Sequence, residues 1–510
     1  MNESRTRNSV RNMMFGIINR VVSIVFPFIV RTIFIRVIGE EYLGLNSLYG
    51  SILQVISLAD LGFASAIVAS MYKPVAQHDV KRVSALLNLY RKIYRTIGTI
   101  ILISGIFITP FIDKFISGDP PENVNIYFLW LLYLLNSVSS YLFFAYKISL
   151  ICAHQRNDIT EKIGTVTRIL TSVLQIYVVA VLKNMYLYVA LNTVCSVMYN
   201  IGCAYMSKKL YPEYNCEGQV DAVTRKKLTK DIGALTIQKI GSTVSLSLDA
   251  IVISSFLGLT SVAIYGNYNY IIAAISSFTM LIYGSITASI GNSIAVDTAG
   301  KNYDDFKKIF YLNTWIIGWC CICFMCLFQD FMVVWMGENL LLNIGAVFCL
   351  VLRFFVEQLR KVVLTYKDAA GMWWYDKWRP LVGCVVNLTL NIILVKTIGI
   401  AGVAISTVVS YLLVEMPWET HVLFKNYFKT KEFGYYKEMA IAVVTMLIAG
   451  STTYLLCESL PLHHITGIAV KLTICLIIPN AIYVTLNVKN PYYIESKELI
   501  AKVKNALVKK

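Results

Sequence analysis

Ionisable residues are scarce in this chain, and acidic ones are the scarcest. Of 510 residues only 15% are charged, with 30 Asp and Glu against 46 Lys and Arg. A soluble globular chain carries about 25% charged residues, so that class is excluded. The phosphate-loop pattern GxxxxGK[ST] occurs nowhere, which argues against an ATP-driven pump on this chain. The five histidines show no ligand spacing. Twelve cysteines lie mostly inside apolar runs, and Cys320, Cys321, Cys323 and Cys326 form a CCICFMC cluster on one apolar helix. A metal site needs converging thiolates. These four read instead as small bundle- or lipid-facing residues, and no metal or other cofactor is expected. A small-residue cleavage site is also missing after the basic start MNESRTRNSVRNMM, which reads as a cytoplasmic lead into the first helix.

What the chain has in abundance is apolar sequence. Hydrophobic residues make up 57% and mean hydropathy is +0.62, spread along the whole length. A spanning helix needs about 20 mostly apolar residues. Fourteen candidates meet this, at 12–37, 42–71, 93–112, 124–147, 159–182, 186–206, 232–257, 262–291, 309–331, 344–366, 378–396, 400–423, 438–457 and 464–487. The connecting loops alternate in charge. One set, with both termini, holds 34 of the 46 Lys and Arg, and the other holds four: Arg36, Lys114, Lys183 and Lys396. The positive-inside rule places the first set and both termini in the cytoplasm. The net charge of +16 is therefore a topology signal and an attraction to anionic lipid heads, and no nucleic-acid partner is expected. The opposite loops are short, leaving no room for an external catalytic domain, so a transporter is expected and an enzyme is not.

The hairpin IRVIGEEYLGLNSLYG (35–50) has a counterpart in SSFLGLTSVAIYGNY (254–268). Each ends a helix at glycine, Gly39 and Gly258, where the left-handed conformation is accessible. The offset is 258 − 39 = 219 positions and covers six helices. An even number returns the chain to the same side, so the halves are parallel repeats, which typically enclose a central substrate site. The expected architecture is an all-α integral membrane protein of about fourteen transmembrane helices: two parallel-repeat six-helix lobes plus two C-terminal helices. The boundaries are 1–206 for the first lobe, 207–230 for a cytoplasmic linker, 231–423 for the second lobe, and 424–510 for two extra helices and a basic tail. In the repeat frame Arg20 and Lys239 each lie 19 positions before their glycine. That is roughly 28 Å below the outer end. Arg31 and Asp249 share a level nearer that end, eight and nine positions before Gly39 and Gly258.

The stretch GEEYLGLNSLYGSILQVISLADLGFASAIVASMYKP, followed by HDVKRVSALLNLYRKIYR, resembles the N-terminal lobe of bacterial polysaccharide flippases. SLDAIVISSFLGLTSVAIYGNYNYI resembles the start of their second lobe. These are the O-antigen and capsular-type, lipid-linked oligosaccharide members of the multidrug/oligosaccharidyl-lipid/polysaccharide exporter superfamily. The resemblance implies alternating access in the bacterial cytoplasmic membrane. It also implies an undecaprenyl-pyrophosphate-linked oligosaccharide as cargo, and polysaccharide polymerase and chain-length machinery as partners. The family motif's acidic residues fall here on Asp60 and Asp249.

Eight bases lie within spans (Arg20, Arg31, Arg168, Lys239, Arg353, Arg360, Lys361 and Lys471) against four clear acids, Asp60, Asp249, Glu357 and Glu415. Intramembrane charges face a bundle interior or a wet cavity, and Arg grips a pyrophosphate bidentately. Arg20, Arg31, Lys239, Arg353 and Arg360 are the expected cargo contacts. Asp60, Asp249 and Glu357 are expected to gate or to couple H+ or Na+, with nothing in the sequence selecting the ion. Blander readings stand beside these. Arg20 and Asp60 have the depth for an ion pair, Arg353 and Glu357 the i, i+4 spacing for one, and Lys361 and Lys471 the position to snorkel. GMWWYDKWRP reads as an interfacial belt, and VKRVSALLNLYRKIYR as a helix on the inner membrane surface. A lipid-linked peptidoglycan precursor flippase shares the pyrophosphate chemistry. A cation-coupled multidrug antiporter of the same superfamily would favour acids over bases.

Overall fold

A computed structural model describes residues 2–57, 63–121, 123–222, 225–226, 233, 243–244, 247–372, 374–460 and 464–495. Among these residues regular structure is helical throughout, with no strand. The chain forms two compact units, Met1–Gly266 and Asn267–Lys510.

The first unit contains α1 (Asn2–Val37), α2 (Glu40–Ile56), α3 (Phe63–Ala76), α4 (Val80–Ile108), α5 (Ile126–Leu142), α6 (Ile148–Ala153), α7 (Asn157–Tyr177) and α8 (Met185–Leu210). The short α9 (Ser247–Leu257) and the first turns of α10 (Leu259–Val296) also belong to it. Side-chain caps set several starts. Asp79 accepts from Arg82 N, Asn125 from Tyr127 N and Phe128 N, and Asn184 from Leu187 N, each satisfying amide groups a helix start leaves open. The core is aromatic. Tyr49 is fully buried and donates to the Ile126 carbonyl at 2.8 Å, and Trp130 Nε1 donates to the Gly105 carbonyl at 3.1 Å. VKRVSALLNLYRKIYR is not a separate surface helix. It is the opening of the continuous 29-residue α4, and its Val83, Leu86, Leu87, Tyr90 and Tyr94 pack with Tyr146 and Leu150.

Both expected hairpins form. Gly39 (φ +117) separates α1 from α2, and Gly258 (φ +83) separates α9 from α10. The two turns meet inside the first unit: a Cβ on Gly44 would stand 2.0 Å from the Leu259 carbonyl oxygen. Only a residue without a side chain permits that approach.

The second unit contains the rest of α10, then α11 (Ala299–Met336), α12 (Ile344–Ala369), α13 (Arg379–Ser410), α14 (Met416–Leu423), α15 (Phe433–Glu458) and α16 (His464–Asn487). α11 is central, packing against α12, α15 and α16. π-helical turns occupy Tyr411–Glu415 and Phe424–Phe428. Between α12 and α13 the aromatic loop exposes Trp374, Tyr375 and Trp378 and buries Asp376.

Eight helical stretches among the described residues are long and apolar enough to cross a membrane. The count is nine if the pair Ile126–Leu142 and Ala145–Ala153, bent by 42°, is one span. This is a multi-pass membrane protein. Length and composition do not reach fourteen among the described residues, which leave out parts of 42–71 and 232–257, and two further reasons are visible. α12 carries Arg353, Glu357, Arg360 and Lys361, too many charges for a span recognised by apolar composition. The stretch Arg379–Phe428 counts once, although Ile398 and Gly399 break its helix.

Candidate functional site

The helix α7, NDITEKIGTVTRILTSVLQIY, is apolar on average but not all round. Thr160, Glu161, Gly164, Thr167, Arg168, Thr171, Ser172 and Gln175 recur every three or four positions, so they share one face. That face lines a cavity of about 530 Å³ in the first unit, within the size range of small-molecule sites. Asn19 and Pro27 of α1 and Tyr188, Asn192, Ser196 and Tyr199 of α8 form the other walls. Pro27 lacks an amide donor, which leaves the Ser23 carbonyl without its helical partner on that side.

Hydrogen bonds hold the walls. Gln175 Nε2 donates to Asn192 Oδ1 at 3.0 Å, Asn19 Nδ2 to Glu161 Oε2 at 2.5 Å, and Thr165 Oγ1 to Asn19 Oδ1 at 3.3 Å. Two ionisable side chains with opposite charge line the cavity, Glu161 and Arg168. Glu161 is held by Asn19. Arg168 is exposed and, among the described residues, enters no ion pair. The arrangement offers hydroxyls, amides and phenols for a polar ligand, and one guanidinium for an anion.

The second unit holds a different concentration of charge. Arg360 Nε donates to Glu419 Oε1 at 2.7 Å and its Nη2 reaches Glu415. Arg379 Nη1 donates to Glu415 Oε2 at 2.7 Å and Arg379 Nε to Asp376 Oδ2 at 2.8 Å. Lys367 closes the chain on Asp376. All six residues are buried. Three cations face three anions, so the network is neutral without any ligand. The π-helical turn Tyr411–Glu415 delivers Glu415 into it.

One family model, described as "Polysaccharide biosynthesis protein", matches residues 9–288. The chain belongs to that family. No curated protein sequence matches it. Solved structures do. One titled "Lipid II flippase MurJ, inward closed conformation" aligns with a TM-score of 0.67 and 13% identity, over 94% of this chain and 99% of that one. A multidrug resistance MATE family transporter of the MOP superfamily, inward-facing, aligns with a TM-score of 0.61 and 14% identity, over 78% and 93%. A mutant of the Vibrio cholerae MATE transporter VcmN gives 0.55 and 13%, over 84% and 100%. At these identities the likeness is one of fold.

In this family member the expected contact residues are scattered. Asp60 and Lys239 lie outside the described residues. Arg20 is exposed on α1. Arg31 is half-buried, and a Cβ on Gly266 would lie 2.9 Å from its Nη2. Asp249 is buried and accepts from Tyr265 Oη at 2.8 Å. Consecutive residues of α10 thus meet Arg31 and Asp249. Arg353 donates to Asn269 Oδ1 at 2.9 Å, and Glu357 pairs with Lys361 at 3.8 Å. Lys471 corrects the snorkelling expectation. It is buried and bound to Asp330 Oδ2 at 2.6 Å. The α7 face lies outside the expected contacts, although its polar stripe with helical period is present in the sequence and includes Arg168, one of the eight bases within spans.

Proposed function

We propose that this protein carries a lipid-linked oligosaccharide across the bacterial cytoplasmic membrane, with both termini in the cytoplasm. The observation that carries the reading is the polar face of α7. Hydroxyl and amide groups suit a glycan, and the Arg168 guanidinium suits the phosphates of its lipid carrier. Arg31 and Arg20 on α1 extend the positive charge, and undecaprenyl pyrophosphate is the proposed carrier. The prenyl chain stays in lipid. Asp249, hydrogen-bonded and buried, and Glu357 are the proposed coupling acids for H+ or Na+. The cargo belongs to surface polysaccharide of the O-antigen or capsular type. The excess of bases over acids within the spans supports an anionic cargo over the cationic drugs of an antiporter.

The test is reconstitution in vesicles loaded with a lipid-linked oligosaccharide, with lectin access to the far leaflet as readout. Arg168→Gln and Gln175→Leu, each purified as a monodisperse protein, are expected to slow translocation at least about tenfold, the equivalent of ~1.4 kcal/mol. Wild-type rates in both variants would remove the cavity from the pathway. The likeness in fold to a structure titled as a Lipid II flippase favours one second reading, a lipid-linked peptidoglycan precursor as cargo. Faster movement of that lipid in the same vesicles would select it.

A further inference from the structure

In sequence the cysteines of α11 are isolated small residues of one helix. The structure brings one of them together with two others from different helices. The sulfurs of Cys326 on α11, Cys457 on α15 and Cys475 on α16 all lie within 4.8 Å of one another. The three residues are 5%, 0% and 0% exposed. Cys323, one turn before Cys326, also reaches the Cys475 sulfur. We propose that these thiols form a binding site for a thiophilic metal ion of the Zn(II) or Cu(I) class, which clasps the α15–α16 hairpin to α11.

The geometry is close to that of a ligand set. In an equilateral triangle at the 4.8 Å limit each sulfur lies ~2.8 Å from the centre, and a Zn–S bond is ~2.3 Å. A shift of ~0.5 Å per side chain brings the three sulfurs to bonding distance and leaves the fourth position of a tetrahedral ion open. No backbone rearrangement is needed, because each ligand arrives on its own helix.

Charge and access are also provided for. A divalent ion held by the three thiolates leaves one net negative charge, beside which stands the Lys471 ammonium, one turn from Cys475. Three protons leave when it binds. Next to the thiols lies an ion triad, Lys471 with Asp330 at 2.6 Å and with Glu458 at 3.9 Å. Asp330 is one helical turn from Cys326, Glu458 adjoins Cys457, and Lys471 is one turn from Cys475. The Glu458 side chain is 55% exposed and that of Asp330 27%. These carboxylates therefore offer a graded route from solvent for the cation in and the protons out.

The experiment uses the full-length protein, reduced and purified in detergent, with Cd(II) as the spectroscopic probe. Wild type is expected to take up one Cd(II) per chain, to show thiolate-to-metal charge-transfer absorbance, and to melt at a higher temperature with the ion than without. Cys475→Ala should lose the absorbance and the thermal shift. Cys326→Ser and Cys457→Ser should bind at least tenfold more weakly. Cys349→Ser, on α12, should behave as wild type. Folding is monitored separately by the elution profile of each metal-free variant. The proposal is wrong if wild type gives no more absorbance than Cys475→Ala, or if a variant combining Cys326→Ser, Cys457→Ser and Cys475→Ala retains the ion. It is also wrong if the native protein holds two of these cysteines as a disulfide and takes up no metal once reduced.

Discussion

Gly383 on α13 stands where any side chain would strike Glu415. A Cβ at that position would lie 2.6 Å from Glu415 Oε1. Glycine is thus what admits the carboxylate to Arg360 and Arg379. Gly383→Ala is expected to push Glu415 off both guanidinium groups and to destabilise the protein by about 1–3 kcal/mol, the range of overpacked interiors. Thermal unfolding in detergent measures it. An unchanged melting temperature would mean that Glu415 withdraws without loss.

Glu419 is the test of the network's neutrality. Glu419→Gln leaves three buried cations facing two acids. Breaking a buried ion pair by removing one partner typically costs about 3–5 kcal/mol. The double variant Arg360→Met with Glu419→Leu removes one charge of each sign and is expected to recover part of that loss. A melting series of the two singles and the double decides it.

These two predictions also mark the limit of sequence reading. The hairpin glycines were legible because a helix end that needs positive φ leaves a glycine behind, and Gly39 and Gly258 did so in the same register. The α7 stripe was legible in principle, since helical periodicity needs no partner. The Arg360 network was not. Its acids lie 55 and 59 positions along the chain, and only the path through α13 and a π-helical turn brings them back. Arg360, a cargo contact by sequence, has its donors directed at Glu415 and Glu419. The thiol cluster was hidden for the same reason, its members being on three helices distant in sequence.

Two glycines on α2 should respond oppositely to one substitution. Gly44→Ala places a methyl 2.0 Å from a backbone oxygen of Leu259, which cannot rotate away, whereas nothing lies within 4 Å of a Cβ on Gly50. Gly44→Ala is expected to lower the melting temperature and to disturb the contact of the two hairpins. Gly50→Ala is expected to be neutral or to stabilise by ~0.5–1 kcal/mol through helix propensity. Equal effects would contradict the close approach at Gly44.

Acid should loosen the segment that follows α8. The His154 ring stacks on Tyr211 at 3.8 Å between centroids. Burial lowers its pKa below the ordinary 6.5, His78 adding slightly and the Leu150 carbonyl and Glu213 opposing. The folded protein therefore favours neutral His154. Its contribution is complete above pH 6.5 and is lost as pH falls through 6.5 toward the lower folded value, because the undocked segment binds the proton more tightly. Hydrogen-exchange protection over residues 211–214, taken relative to the intrinsic rate at each pH, should fall as pH drops from about 8 to about 5. His154→Gln should abolish that fall.

The polar face of α7 also bears on how the protein is made. An arginine at the centre of a nascent span opposes release into lipid by about 2.5–3.5 kcal/mol, and Arg168 is accompanied by Glu161 and Gln175. Lipid is a poor host for this helix alone. α1, already synthesised, supplies Asn19 to Glu161, and α8, next off the ribosome, supplies Asn192 to Gln175. In the folded protein α7 thus has a polar partner on each side, and the same groups that shape the cavity lower the cost of holding this helix in the bilayer.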